Sequence, residues 1–320
     1  MESDPHETRI AILEQDRLTE LFVERHHQLG IVGNIYKGRV HRVLPGMQAA
    51  FVDIGLARDA FLYVSEVVDP SEESVRFDDA DDASATDGPS AEPIESRRME
   101  FQRVDPDRPS IDQLLKPGQE VVVQVLKDAM PNKGARVSTQ ITLPGRSLVL
   151  LPHVHHLGVS RRIEGEEERA KIRALLEAIQ PEGVGLIART VGADASRDDL
   201  QADLRYLERL WDRIRRRAET VSAPTLIHRD LDLALRVVRD YLSDEVSVVW
   251  VDGEETYERL VEFIDQIQPD LLGRVKLHQQ DNGLFERFEL DQEIDRALDT
   301  KVWLKSGGHI VIHPTEALVA

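Results

Sequence analysis

The 320-residue sequence predicts an α+β chain of several domains, a small β-barrel followed by a mixed α/β region. Three observations lead there. Short runs rich in β-branched residues, punctuated by Gly and Pro turns, fill much of the chain up to Ile141. Apolar stripes at helical spacing alternate with short buried-type runs from Leu148 onward. Between the early strands lies one long Asp, Ser and Pro-rich stretch with no apolar period.

Taken in order, Ile10–Leu13 and Leu18–Val23 flank the polar Glu14–Arg17 and predict a β-hairpin. Ile31–Val43 predicts a twisted strand, Pro45-Gly46 a turn, and Met47–Ile54 and Ala60–Val64 two further strands joined around Gly55 and Asp59. The acidic stretch from 69 to 110 is expected to be disordered, since it has too little apolar surface to offset the entropy of ordering. Regular structure is expected to resume at Leu114, with strands over Val121–Leu126 and Ala135–Ile141. Five strands interrupted by one loop suit an OB-type barrel. Beyond Gly145, Leu148–Leu151 and Gly185–Ala188 predict buried strands. Ile172, Leu175, Leu176 and Ile179 share one helical face. Leu200, Leu204, Leu207, Trp211 and Ile214 form a longer stripe opened by Ser196 with Asp199, as in a capping box. Arg213 and Arg215–Arg217 read as the solvated end of that helix. A helix over Leu231–Leu242, a strand over Val246–Val251, a helical face from Tyr257 to Ile267 and a closing hairpin of Val302–Leu304 with Ile310–Ile312 complete the reading.

The formal net charge of -19 opposes nucleic acid binding if spread evenly, but much of it sits in the 69–110 stretch. There is no cysteine, which excludes disulfides and thiolate metal sites in these residues. No apolar run is long enough to span a bilayer and the first residues lack a secretory pattern, so a cytoplasmic protein is expected.

Tyr36, Lys37, Arg39, Phe51, Phe61 and Lys133 combine aromatic rings with cations on what is expected to be one barrel face. Nucleic-acid barrels stack bases on such rings and guide phosphates with such cations. By residue type alone, Phe51 and Phe61 fit barrel core equally well. His26, His27, His153, His155 and His156 lack a completing carboxylate pattern and read as loop residues rather than metal ligands.

The wording of several segments is more specific than any of these patterns. GIVGNIYKGRV (30–40), VLPGMQAAFVDIG (43–55), NKG (132–134), ITLPGR (141–146), GVSRRIEG (158–165), GLIART (185–190), KSGG (305–308) and TEAL (315–318) together resemble the ribonuclease E/G family. The resemblance implies an S1-type OB barrel at 30–140, inserted in an RNase H-like subdomain made of 1–29 and 231–297. It further implies a 5′-sensor region at 141–230 and the start of a DNase I-like catalytic domain at 298–320. It assigns Phe51, Phe61 and Lys133 to single-stranded RNA, and Arg189 and Thr190, with backbone around Gly145 and Val149, to a 5′-monophosphate. A guanidinium fork beside a hydroxyl is suited to phosphate oxygens. Asp230, Asp232 and Asp252 are expected to be structural.

The implied activity is Mg²⁺-dependent endoribonucleolytic cleavage of single-stranded, 5′-monophosphorylated RNA in rRNA processing and mRNA decay, by a homo-oligomer when full-length. The family's two metal-binding aspartates follow the Thr-Glu-Ala motif, one in an Asp-x-Asn motif. The sequence ends at Ala320 before either, so these residues are expected to recognise RNA without cutting it. His313 stands where relatives commonly have Asp. The alternatives from other classes are a non-catalytic S1-domain RNA-binding protein and a ribosome-associated S1 adaptor. The adaptor offers no account of Arg189-Thr190.

Overall fold

A computed structural model describes residues 1–68, 109–193, 195–280 and 282–313. The expectation of disorder falls almost wholly on 69–108, outside the described residues.

The chain opens with β1 (Glu2–Ser3), β2 (Glu7–Glu14) and β3 (Arg17–Arg25), a three-stranded antiparallel sheet containing the expected hairpin. Its tight turn places Gln15 and Asp16 at positive φ. The barrel follows with β4 (Ile35–Leu44), β5 (Ala49–Asp53) and β6 (Ala60–Tyr63), then α1 (Ile111–Leu114), β7 (Glu120–Lys127) and β8 (Arg136–Ser138). Several boundaries differ from the sequence expectation, among them β5, which starts at Ala49 rather than Met47, and β8, which ends at Ser138 rather than Ile141. Residues 31–34 form a turn, with Asn34 N–H donating to the Ile31 carbonyl, so β4 starts only at Ile35. Structure resumes before Leu114, because Gln113 Oε1 accepts from Ser110 N–H and closes the start of a one-turn helix.

The barrel strands run β4-β5-β6-β8-β7, and β7 pairs back onto β4, so no edge is left between them. The bulge between Val40 and Arg42 bends the long first strand enough for closure. Inside lie Val40, Val52, Leu62, Val123 and Val137, all nearly inaccessible to solvent.

Next come β9 (Leu143–Pro144), β10 (Leu148–Leu151), β11 (Leu157–Val159), α2 (Glu166–Ile179) and β12 (Gly185–Ala188), whose strands make a sheet ordered β11-β12-β10-β9. The long α3 (Arg197–Thr220) carries the anticipated capping box, Ser196 accepting from Asp199 N–H while Asp199 accepts from Ser196 N–H. β13 (Thr225–His228) then pairs with β4, attaching the second half of the chain to the barrel. The remainder is α4 (Leu233–Tyr241), β14 (Val249–Val251), α5 (Glu254–Ile267), β15 (Val275–Leu277), α6 (Leu284–Arg287), α7 (Leu290–Leu298) and the hairpin β16 (Lys301–Trp303) with β17 (His309–Val311).

One apolar core joins distant segments. Ile10 and Phe22 of the opening hairpin belong to the same buried cluster as Leu148, Leu204, Leu233, Val237 and Leu260. The amphipathic stripe of α4 is the surface that the hairpin covers, Phe22 meeting Tyr241 at 5.7 Å between ring centroids. The opening hairpin and α4, which lie on either side of the barrel residues in sequence, thus pack together.

Candidate nucleic-acid interface and phosphate pocket

Pairing register decides which barrel side chains share a surface. Phe51 on β5 stands opposite Phe61 on β6, and Phe61 is in register with Arg136 on β8. These three form a row across the outer face, and Tyr63 follows two residues along β6 on the same side. The rings meet edge to face, Phe51 to Phe61 at 5.4 Å and Phe61 to Tyr63 at 4.4 Å. The Arg136 guanidinium lies over the Tyr63 ring, 5.0 Å from its centroid, and its Nη2 reaches Glu66 Oε1 at 2.6 Å. Phe51 and Phe61 are half-buried, with Ala50, Val52, Ala60 and Leu62 between them pointing inward. Alternation therefore resolves the ambiguity in favour of the surface. Lys133 is exposed in the turn before β8, where Gly134 lies against the Asp59 carbonyl at the start of β6.

The expectation that all six residues share one face needs correcting. Tyr36 is 7% exposed and belongs to the barrel core, facing the opposite way from Lys37 and Arg39. A residue and its neighbour in a strand cannot point to the same side. Lys37 and Arg39 are on the outside but committed: Lys37 Nζ bonds Glu120 at 3.0 Å and the Val221 carbonyl at 2.8 Å, and Arg39 bonds Glu120 and the Ala223 carbonyl. The hydrogen bond from Lys37 is the main cause holding the Glu120 carboxyl below its ordinary range. These cations clamp the segment after α3 onto the barrel.

The second group lies at the end of β12. Arg189 is 2% exposed, and its Nη1 donates to the Gly145 carbonyl at 2.6 Å and to Asp240 Oδ1 at 2.7 Å. Arg239 bonds both oxygens of the same Asp240, through Nε at 2.8 Å and Nη2 at 3.0 Å. Burial works to raise the Asp240 carboxyl, but the hydrogen bond and charge of Arg239 and the charge of Arg189 outweigh it and hold it low. Thr190 Oγ1 is 3.0 Å from Ser160 Oγ. Val149 is buried within β10, paired with Pro144 and Ile187.

Sequence reasoning missed the carboxylate behind this group. Asp203, on the core side of α3, accepts from the backbone N–H groups of Arg146, Ser147 and Leu148 at 3.1, 2.8 and 2.9 Å. Burial pushes this carboxyl above its ordinary range despite the three amides. A Cβ at Gly145 would fall 2.5 Å from Asp203 Oδ1, so the loop requires glycine there. The only hint in the sequence is an Asp one residue before the apolar Leu204. Arg239 and Asp240 were equally hidden within the α4 stripe.

Among the described residues no group of three or more His, Asp or Glu could hold a metal ion. His153 packs edge-on against Trp211 at 5.1 Å, and burial lowers its pKa. His26 Nε2 is 3.0 Å from Thr8 Oγ1. Asp232 caps α4 through Leu235 N–H, and Asp230 N–H bonds Asn34 Oδ1, consistent with structural roles. No helix among the described residues is long and apolar enough to cross a membrane.

The profile of the Ribonuclease E/G family matches residues 142–320. The chain belongs to this family. It is 39% identical over 318 residues to Ribonuclease G of Haemophilus influenzae, a match covering 99% of this chain and 60% of the relative. The identity to Ribonuclease G of Escherichia coli K12 is also 39%, over 98% of this chain and 59% of the relative. Ribonuclease E of Haemophilus influenzae is 38% identical, over 98% of this chain and 31% of its own length. The chain thus spans about 60% of the ribonuclease G relatives it matches. The family assignment agrees with the motifs quoted above, and the closed five-stranded barrel is of the OB type that those motifs imply.

Proposed function

We propose that these residues are the RNA-recognising part of a ribonuclease of the E/G family, gripping single-stranded RNA on the outer barrel face and reading its 5′-monophosphate beside Arg189 and Thr190. The observation that carries this reading is the outward row of Phe51, Phe61 and Arg136, with Lys133 exposed in the turn before β8. Aromatic faces take up bases of any sequence, and the exposed Lys133 draws in the phosphates, Arg136 being paired with Glu66.

For the 5′ end, Arg189 supplies the fork, Thr190 and Ser160 supply hydroxyls, and the loop at Gly145 sits within hydrogen-bonding distance of the guanidinium. Asp240 already balances Arg189 and occupies its Nη1. A phosphate must share the guanidinium with that carboxylate, so the reading favours a preference for 5′-monophosphate rather than an absolute requirement.

Endonucleolytic cleavage, Mg²⁺ dependence, action on rRNA and mRNA, a cytoplasmic location and homo-oligomerisation belong to the same proposal, at the level of the whole protein. The aspartates that the resemblance assigns to the metal are not among these 320 residues. Among the described residues no group of three or more His, Asp or Glu could hold a divalent ion.

The test is binding of fluorescent oligoribonucleotides carrying either a 5′-monophosphate or a 5′-hydroxyl. The first is expected to bind more tightly, and both Thr190→Val and Arg189→Ala to erase the difference while leaving 5′-hydroxyl binding in place. Thr190→Val serves as the variant that leaves the buried ion pair intact. Equal affinity of the unaltered chain for the two RNAs would sink the 5′ reading. Undiminished binding by Phe61→Leu would sink the barrel-face reading.

A further inference from the structure

We propose that Tyr63, backed by Arg136 and Glu66, is a third base-stacking position that continues the Phe51–Phe61 row along β6. The inference rests on the reading of this face as an RNA site, and adds to it residues that neither the motifs nor the resemblance assign.

The argument starts from register. Tyr63 stands opposite Ala49, a small and fully buried residue, so the ring covers Ala49 with one part and leaves the rest in water. Its exposure is 37%, more than a ring needs merely to close a barrel end. Being two residues beyond Phe61 on one strand, it lies about 6.6 Å farther along the same face. An extended, unstacked RNA strand following β6 would meet Phe61 and Tyr63 in succession.

Tyr63 is also held for the task. Arg136 crosses its ring at 5.0 Å, a cation–π contact that fixes the ring plane. Glu66 anchors that guanidinium, and Arg136 Nε is buried with no hydrogen-bond partner among the described residues. Glu66 itself is tied down, its carbonyl accepting from Thr139 N–H at 2.9 Å and from Ser138 Oγ at 3.1 Å. A ring with so little freedom loses little entropy when a base settles on it. Because Glu66 neutralises Arg136, this position contributes stacking rather than phosphate attraction. That separates it from Lys133, whose contribution should be electrostatic and salt-dependent.

The experiment measures the affinity of the full chain for 5′-hydroxylated oligouridine at several salt concentrations, so that the 5′-phosphate pocket is silent. Tyr63→Leu, which retains an apolar cover over Ala49, is expected to weaken binding by about 5- to 100-fold with no change in salt slope. Tyr63→Trp is expected to restore it. Thermal unfolding of each variant confirms that the barrel is folded. If Tyr63→Leu binds as the unaltered chain does while Phe61→Leu is weakened, the third position is refuted and the barrel-face reading stands. If neither substitution matters, the reading beneath it fails as well. A loss on Tyr63→Leu that Trp does not rescue, or that comes with a reduced salt slope, also overturns stacking as the role of Tyr63.

Discussion

Asp203 shows how much a single buried carboxylate can organise. Three consecutive amides converge on it, and Gly145 provides the room. Without the carboxylate, those N–H groups would be buried and unsatisfied, each costing about 1–3 kcal/mol. Asp203→Ala is therefore expected to lower stability by about 3–5 kcal/mol, at the severe end for one substitution, as measured by denaturant or thermal unfolding. A loss under about 1 kcal/mol would mean that water or a neighbouring group satisfies the loop. The effect should extend to function, because the same loop supplies the Gly145 carbonyl that holds Arg189. Residue type alone could not distinguish Asp203 from the many solvated acids on α3. Its neighbours Asp198 and Asp199 are exposed, and only packing of the helix on β10 selects the third.

At the scale of elements, the barrel face depends on how β6 and β8 run side by side. The turn between β7 and β8 brings Gly134 against the Asp59 carbonyl, so close that a Cβ on Gly134 would fall 1.9 Å from that oxygen. Backbone cannot step aside as a flexible side chain would. Gly134→Ala is expected to cost about 1–3 kcal/mol or more and to weaken RNA binding by displacing Lys133. Unchanged stability and binding in that variant would show that the turn yields freely. The hairpin, the barrel strands, the capped α3 and the helical stripes of α2 and α5 were all legible, because each bears its own period or cap. β13, β15, α6 and α7 were not. They are short, and their apolar residues are too few to display a period. β13 becomes a strand because the first residues of β4, Ile35–Lys37, lie beyond the reach of β5 and offer it an edge. Tyr36 was legible as strand but not as core, since an aromatic between strand and cation suits either side of a sheet.

Across the whole molecule, Asp240 is the point where the sheet behind Arg189, the loop after β9 and α4 meet. Its carboxylate lies between Arg189 and Arg239, with the three side chains almost wholly buried. Its folded pKa is depressed, so its contribution to stability is full above the ordinary carboxylate value of about 4 and is lost as pH falls through the lower folded value. Asp240→Asn is expected to destabilise the chain by about 3–5 kcal/mol near neutrality, since two buried guanidiniums lose their counter-charge. The gap from the unaltered chain should close below about pH 4 as the native carboxylate protonates. Thermal unfolding across a pH series measures this. A gap that is constant down to strongly acidic pH would show that charge is not the cause.

The family, the strands of the barrel and the capped helix can all be read from the chain alone, because motifs, periodicity and turn chemistry are local properties. Which of those residues face solvent together is settled by folding. Pairing register put Phe51, Phe61, Tyr63 and Arg136 in one outward group, sent Tyr36 inward, and engaged Lys37 and Arg39 with Glu120. The same holds for Asp203, Arg239 and Asp240. Partners 51 to 57 residues apart along the chain, such as Arg189 with Asp240 and Arg146 with Asp203, meet because separate helices pack on one sheet, and no local pattern encodes that meeting.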